Sequence, residues 1–264
     1  MNSNVTNKSM GVLKLNDRDK SYHLSRYTPS LETSFFIKHF WRVKWDLTDK
    51  EPFWQDVIPN PCVNLVIEKN KTGIFGPAKN MFSYPVKGKG CVFGVKFKPG
   101  GFYPFIKQSV SDLIDHPMDV QNVFAIDSRT LEKAVLSLPN EEKMVEYLES
   151  VICEKLPKKD ENVRFINEII DVIIENKEIT KVDHVCEQIR INKRKLQRIF
   201  QQYVGVSPKW VIKLYRLQNA AEMIDHNLNH DWLKLSMDLG YYDQSHFIKD
   251  FKNIIGKTPD EYAR

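Results

Sequence analysis

The residues between 190 and 201 include side chains that can recognise the edges of DNA bases. Residues 190–198 hold five basic side chains and no acidic one. On a helix that begins at Asn192, the helical period brings four polar side chains to one face: Arg194, Gln197, Arg198 and Gln201. Arginine can donate two hydrogen bonds to guanine, and glutamine can pair similarly with adenine. The spacing therefore predicts base contacts from Arg194, Gln197 and Arg198.

A second set of polar side chains lies about 51 residues further along the chain. It contains Gln244, Ser245, His246 and Lys249, which we expect to be exposed beside Asp243 and Asp250. We predict base contacts from these four side chains, and phosphate contacts from Lys193, Lys195 and Lys252. An isolated basic run is more often a solvated helix face, so the prediction depends on the elements that hold the two sets.

Both sets lie in copies of one sequence unit. At an offset of 51 residues, the second copy repeats bulky, glycine and proline positions of the first: Leu196 and Phe247, Phe200 and Phe251, Gly205 and Gly256, Pro208 and Pro259. Glycine suits the left-handed position that ends a helix, and Ser207 or Thr258 before proline can cap the next helix. Such regular spacing indicates one supersecondary unit that occurs twice.

Each copy has the pattern of a helix, a tight turn and a second helix. The first helices carry apolar stripes at Val182, Val185, Cys186 and Ile189, and at Leu233, Ser236 and Leu239. Turns are predicted around residues 190–192 and 240–243, and residues 208–225 should form one long linking helix. This order predicts two helix-turn-helix units, about 180–202 and 230–252, whose second helices enter the major groove of DNA.

The first hundred residues instead have the pattern of short β-strands. Residues 41–47 and 93–98 alternate apolar and polar side chains, and residues 63–67 form a short apolar, β-branched run. Apolar residues recur at helical spacing after about residue 109. We therefore predict an α+β chain of two domains: a β barrel or sandwich with trailing helices at 1–157, and an all-α domain at 158–264.

Aromatic and basic residues are concentrated in this β region. Residues 79–111 contain six lysines and no acidic residue. An aromatic cavity with a basic rim would suit a small anionic or aromatic effector, and the candidate contacts are Trp41, Trp54, Phe97 and Tyr103. The alternative is an ordinary aromatic core beneath solvated lysines.

The sequence gives no signal for a metal site, a cofactor or a catalytic residue. His23, His39 and His116 lack the spacing of metal ligands, and the four cysteines are not paired as C-x-x-C, so we expect reduced thiols. No run of apolar residues is long enough to span a membrane, and the first residues lack the apolar stretch of a secretory leader. The expectation is a cytoplasmic chain with no membrane partner.

Residues 162–264 resemble the DNA-binding domain of the AraC/XylS family of bacterial regulators. The resemblance is clearest in residues 196–208, Arg216 with Ala220, residues 239–247 and residues 251–259. It implies seven helices, a rigid linking helix and base contacts from the two polar sets. Members of the family often have glycine where this chain has Arg190, and a non-glycine residue at positive φ costs on the order of 1 kcal/mol.

Residues 58–67, 75–77 and 93–101 resemble a sensor domain found in some members of the same family. The resemblance implies a cupin-like β domain that senses a small molecule or dimerises, and it specifies no ligand.

The leading hypothesis is a two-domain transcription regulator that binds an asymmetric promoter site in double-stranded DNA under the control of a small-molecule effector. RNA polymerase and a second copy of the chain are further candidate partners. Two alternatives stay open: a sensor-enzyme with a catalytic N-terminal barrel, and a regulator whose N-terminal domain only dimerises. Bound metal would favour the first alternative, whereas the absence of both metal and ligand binding would favour the second.

Overall fold

The computed structural model describes residues 22–226 and 231–263. Within these ranges the strands lie between residues 22 and 97, and the helices follow from residue 103. The predicted α+β architecture, a sheet-rich region followed by a helical one, is confirmed. Residues 1–21 of the predicted first domain, residue 230 at the predicted start of the second unit and residue 264 lie outside the described residues.

The described strands form two antiparallel sheets. They are β1 (Tyr22–Tyr27), β2 (Ile37–Leu47), β3 (Phe53–Val57), β4 (Asn64–Glu68), β5 (Gly73–Phe75), β6 (Phe82–Val86) and β7 (Gly88–Phe97). The larger sheet has the order β1-β2-β7-β4-β5, and β3 pairs with β6 in a separate ribbon. The three runs that the sequence pattern predicts as strands lie in β2, β4 and β7.

The larger sheet has two different faces because side chains alternate along each strand. One face carries large, fully buried side chains: Phe40, Leu65, Ile67, Phe93, Val95 and Phe97. They share one apolar core with four helices, α1 (Tyr103–Ile106), α2 (Gln121–Phe124), α3 (Ser128–Leu136) and α4 (Glu141–Cys153). Burial of each such side chain stabilises the fold by about 1.5–3 kcal/mol. The opposite face is therefore left for the β3–β6 ribbon and the space beneath it.

Seven further α-helices lie in the described part of residues 161–263. They are α5 (Glu161–Glu175), α6 (Val182–Ile189), α7 (Lys193–Ile199), α8 (Pro208–His226), α9 (Trp232–Asp238), α10 (Gln244–Ile255) and α11 (Pro259–Ala263). A π-helical turn at Phe200–Val204 extends α7. None of the helices in the described ranges is both long enough and apolar enough to cross a lipid bilayer.

The sheet region and the helical region pack directly against each other. The ring of Tyr103 lies on that of Tyr203, with 3.9 Å between their centroids, and Gln202 Nε2 donates a hydrogen bond to Tyr103 Oη at 2.6 Å. Asn167 Nδ2 donates to the Pro99 carbonyl oxygen at 3.0 Å. Because these contacts cross the chain position at which we divide the domains, the boundary at residue 157 stays a prediction.

Candidate nucleic-acid interface and ligand cavity

The first helix-turn-helix unit consists of α6, a tight turn and α7. Helix α6 ends at Arg190, whose φ of 56° places it in the left-handed region. This is the positive φ expected at the position where glycine is common. Asn192 then caps α7, because its side-chain oxygen accepts hydrogen bonds from the backbone N–H groups of Arg194 (2.9 Å) and Lys195 (3.4 Å). The turn and the cap together set the direction of α7.

Helix α7 separates its apolar and polar side chains onto opposite faces. Leu196, Ile199 and Phe200 are buried against the other helices of the unit. The exposed side carries the predicted base-reading residues, Arg194, Gln197, Arg198 and Gln201, together with Lys193 and Lys195. Lys193 Nζ lies 2.8 Å from Asp183 Oδ1, so this predicted phosphate contact already has an intramolecular partner.

The second unit repeats this construction. Asp231 caps α9, Gly240 takes a φ of 69° in the turn, and Asp243 caps α10 by accepting the backbone N–H of His246 at 2.9 Å. Helix α10 buries four apolar side chains, Phe247, Phe251, Ile254 and Ile255. Of the predicted contact residues, Ser245, His246, Lys249 and Lys252 are exposed and Gln244 is half-buried.

The apolar stripe predicted for α9 is displaced in the structure. The predicted core residue Leu233 is 53% exposed, whereas Ser236 and Leu239 are buried as expected. Helix α9 begins at Trp232, and Trp232 and Leu235 complete the face that packs on the second apolar cluster. The positions i, i+3, i+4 and i+7 from Trp232 therefore form the packed stripe, and the prediction for Leu233 is wrong.

The two aspartates beside the second polar set play different roles. Asp250 lies 3.0 Å from Lys213 Nζ of α8 and accepts a hydrogen bond from Tyr241 Oη at 3.3 Å. The carboxylate of Asp250 is therefore paired with the linking helix α8 and does not point to the exposed face of α10. Asp243 Oδ2 lies 2.6 Å from His246 Nδ1. The backbone N–H of His246 is the largest cause of the lowered pKa of Asp243, so this carboxylate stays charged at the start of α10.

Arg216 in the middle of α8 connects the two units. Its guanidinium group lies over the ring of Tyr241 in the second turn, 4.6 Å from the centroid. The same group donates to the carbonyl oxygen of Thr180, just before α6, at 3.4 Å. Burial lowers the pKa of Arg216 from its usual value. The sequence resemblance marks Arg216 as a matching position, but only the fold shows that it contacts both units.

The caps and glycines predicted from the repeat are present in both copies. Gly205 and Gly256 end the second helices with φ of 84° and 90°. Ser207 Oγ accepts the Trp210 N–H at 3.2 Å, and Thr258 Oγ1 accepts the Glu261 N–H at 3.2 Å. The duplicated spacing thus corresponds to a duplicated backbone path.

A cavity of about 560 Å³ lies between the open face of the larger sheet and the β3–β6 ribbon. Its sheet side is formed by alternate residues of β1, β2, β4 and β7. The rings of Trp41 and Trp45 cover Gly94 and Gly90 of β7, since a Cβ at either glycine would approach an indole ring atom to 2.4 or 2.2 Å. The two missing side chains therefore leave room for two aromatic rings along one wall.

One end of the cavity is basic. Lys96 and His39 line it beside Arg26. Burial, followed by the charges of Lys96, Arg26 and Lys38, lowers the pKa of His39 to about 3. Burial also lowers the pKa of Lys96 to about 8, with Lys38 and Arg26 acting in the same direction and Cys62 opposing them. His39 is consequently neutral near pH 7, while Lys96 remains largely charged.

Only Trp41 of the four candidate ligand contacts lines this cavity. Phe97 is fully buried on the opposite sheet face, and Tyr103 packs on Tyr203 between the two regions. Trp54 is 65% exposed and does not line this cavity. Strand alternation explains the result for Phe97, because its neighbour Lys96 is the residue that faces the cavity.

The histidines do not combine into a metal site within the described ranges. His23 and His116 are exposed and His39 lies alone in the cavity wall. The described residues contain no group of three histidine, cysteine or acidic side chains placed to hold a metal ion.

Two wall segments of the cavity continue into contacts with the linking helix α8 and with the C-terminal ends of the two second helices. Beside the wall residue Ala78, the Lys79 carbonyl oxygen accepts the Trp210 Nε1–H at 3.1 Å, and Met81 N donates to the Asn253 carbonyl oxygen at 3.4 Å. Near the wall residue Leu113, Ser109 Oγ donates to the Gln201 carbonyl oxygen at 3.2 Å. The second helix of each unit, α7 or α10, is called its recognition helix below. Each recognition helix is thus contacted near its C-terminal end.

Two family models match separate parts of the chain. A family model described as a helix-turn-helix domain matches residues 185–264. A model described as a domain of unknown function, DUF6597, matches residues 25–119. The second match runs from within β1 through β7 and includes the segment around Ser109 that contacts the end of α7.

Two curated relatives that match part of this chain are named as regulators. An uncharacterized HTH-type transcriptional regulator of Haemophilus influenzae is 30% identical over 83 residues, which is 31% of this chain and 28% of that protein. The HTH-type transcriptional regulator ArgR of Pseudomonas aeruginosa is 28% identical over 79 residues, or 30% and 24% of the two chains. The chain thus spans about a quarter of the length of these curated relatives.

Among solved structures, a transcriptional regulator of Chromobacterium violaceum with an AraC-type DNA-binding domain is similar to this chain. It is 22% identical, with a TM-score of 0.34, over 37% of this chain and 87% of that one.

Proposed function

Because residues 185–264 form a helix-turn-helix domain of the AraC type, we propose that the whole chain is a transcription regulator that binds an asymmetric site in double-stranded DNA. The observation that carries the proposal is the duplicated polar face. Helices α7 and α10 each bury one side within their unit and expose a side rich in hydrogen-bonding and basic groups. Two such helices on one linking helix can enter two successive major grooves.

The two faces differ in chemistry. On α7 we assign base contacts to Arg194, Gln197 and Arg198, since arginine and glutamine can each make paired hydrogen bonds with a base edge. On α10 we assign them to Gln244, Ser245, His246 and Lys249. Lys193, Lys195 and Lys252 would contact phosphates, which fix the position of the protein but carry no sequence information. Two unlike helices read two unlike half-sites.

Selection of the full chain on a library of random duplexes tests this proposal. We expect one asymmetric sequence with two half-sites about one helical turn apart. The double variant Arg194→Ala with Arg198→Ala should lose the preference in one half-site and keep the other. Arg164→Ala is the matched control, because Arg164 is an exposed arginine on α5, outside both units. Equal recovery of all sequences by the wild-type chain would contradict the proposal.

We further propose that the cavity binds a small-molecule effector that controls DNA binding. Its volume of about 560 Å³ lies within the range of ligand sites, and apolar walls with a few polar groups are typical of such sites. Ligand binding should raise the melting temperature of the full chain. Val66→Trp, which places a large ring in the cavity wall, should abolish that increase while leaving DNA binding measurable. An increase that survives this substitution would locate the effector elsewhere.

A further inference from the structure

Lys96 presents an ammonium group to the basic end of the cavity without a carboxylate acting on it. Among the described residues, the Cys62 thiol is the one group that favours its charged form, and Lys38 and Arg26 oppose it. A partly buried charge is costly unless it is paired. A bound anion at this end would therefore form an ion pair with the Lys96 ammonium group.

Two further polar atoms in the cavity wall lack partners. Trp41 Nε1 and Asn60 Oδ1 are buried, and neither has a hydrogen bond in the described structure. Both residues line the cavity. Buried polar atoms without partners are few in native proteins. Both atoms are covered by the wall itself, so they mark a polar wall and are not direct contacts for an occupant.

The rest of the cavity sets the shape and orientation of an occupant. The indole rings of Trp41 and Trp45 lie over Gly94 and Gly90 in the wall, which favours an apolar, aromatic body. The far end carries Glu68, whose carboxylate contacts the Tyr84 hydroxyl and lies 3.7 Å from Lys71 Nζ. In the β4–β7 pairing, Lys96 lies opposite Asn64, four residues before Glu68. The acidic end is thus roughly 13 Å from the basic end along the strand.

We propose that this cavity binds an apolar, aromatic molecule with a single carboxylate, placing the carboxylate at Lys96 and the apolar body against Trp41 and Trp45. The proposal rests on the assignment of the cavity as the effector site and adds the chemical class of the ligand. At the opposite end Lys71 is already paired with Glu68, so a carboxylate would gain less there than at Lys96, and the orientation is defined.

Calorimetric titration of the full chain with naphthalene-2-carboxylate and its neutral counterpart naphthalene-2-carboxamide tests the proposal. The wild-type chain should bind the carboxylate at least tenfold more tightly than the amide. Lys96→Met removes the charge and keeps most of the side-chain length; it should weaken carboxylate binding at least tenfold and leave amide binding unchanged. Lys89→Met is the control, since Lys89 lies on the same strand, is 69% exposed and pairs with Asp46.

Equal affinities for the two compounds, or no binding of either, would overturn the proposal, as would unchanged carboxylate binding in Lys96→Met. The comparison of acid with amide on the wild-type chain needs no variant, so it stays decisive if Lys96→Met fails to fold. Sequence-specific DNA binding of the full chain is measured on the same preparations. Intact DNA binding without carboxylate preference overturns only the ligand class, whereas absence of sequence-specific DNA binding overturns the proposed function.

Discussion

At the scale of single residues, the electrostatics of the cavity wall have a consequence for stability. His39 is buried beside Lys96, Arg26 and Lys38, and its pKa is lowered to about 3 from an ordinary value of 6.5. The unfolded chain therefore binds a proton at His39 between pH 6.5 and 3, and the folded chain does not. Stability linked to His39 is fully present above pH 6.5 and is lost as the pH falls through this window.

This difference predicts the effect of removing the imidazole. Between pH 8 and pH 5 the wild-type chain should lose about 2 kcal/mol more of its free energy of unfolding than His39→Gln, because 1.5 pH units below the ordinary pKa correspond to about that energy. Chemical denaturation of both chains at the two pH values measures it. His116→Gln, at an exposed histidine, should behave as the wild type. Parallel losses in the wild type and His39→Gln would show that His39 titrates normally.

Two basic residues on one helix should differ in their contribution to DNA binding. Arg198→Ala should weaken binding to the preferred site by about 1–3 kcal/mol and relax the base preference at one position. Lys195→Ala should weaken binding to all sequences to a similar degree. It should also reduce the slope of log affinity against log salt concentration by about one. Titration of specific and random duplexes at several salt concentrations separates the two effects. The reverse pattern would mean that the other side of α7 faces the bases.

At the scale of elements, the sequence correctly predicts the features that are determined by residues close together along the chain. The duplicated glycine, cap and proline positions predict the ends of α7 and α10 because these signals act within a few residues. The face of α9 is predicted wrongly at Leu233, since its packing depends on where the helix begins. Cavity contacts are harder still to predict. Phe97 and Lys96 are adjacent in sequence, and only the pairing of distant strands decides which of them faces the cavity.

The buried anchors of the two recognition helices predict the stability of their elements. Leu196→Ala and Phe251→Ala should each lower the free energy of unfolding by roughly 2–5 kcal/mol, because both side chains are fully buried between helices. Gln197→Ala and Lys249→Ala, at exposed positions on the same helices, should change it by no more than about 0.5 kcal/mol. Denaturant unfolding of the four variants makes the comparison. Similar small losses in all four would mean that the buried and exposed faces are reversed.

At the scale of the whole molecule, the linking helix should fix the distance between the two DNA-contacting faces. Arg216 contacts both units from the middle of α8, and Lys213 holds Asp250 of α10. The half-sites should therefore be centred about one helical turn apart, roughly 10–10.5 base pairs.

Insertion of five base pairs between the half-sites rotates one of them by about half a turn. Binding through both helices should then be lost, leaving at most weak binding through the α7 half-site. An insertion of ten base pairs is the control that restores the rotation but not the distance. Footprinting of the full chain on the three duplexes tests this expectation, and unchanged affinity after the five-base-pair insertion would rule out a rigid linker.

The hydrogen bonds from the cavity wall to both recognition helices also have a thermodynamic consequence. The segments that carry Met81 and Ser109 border the cavity and contact the C-terminal ends of the helices that would lie in DNA. If an occupant of the cavity shifts these segments and changes the affinity for DNA by some factor, DNA must change the affinity for that occupant by the same factor. DNA bound by the two helices would then act as an allosteric effector of ligand binding in the cavity. The affinity measured for a small molecule would therefore depend on the DNA present.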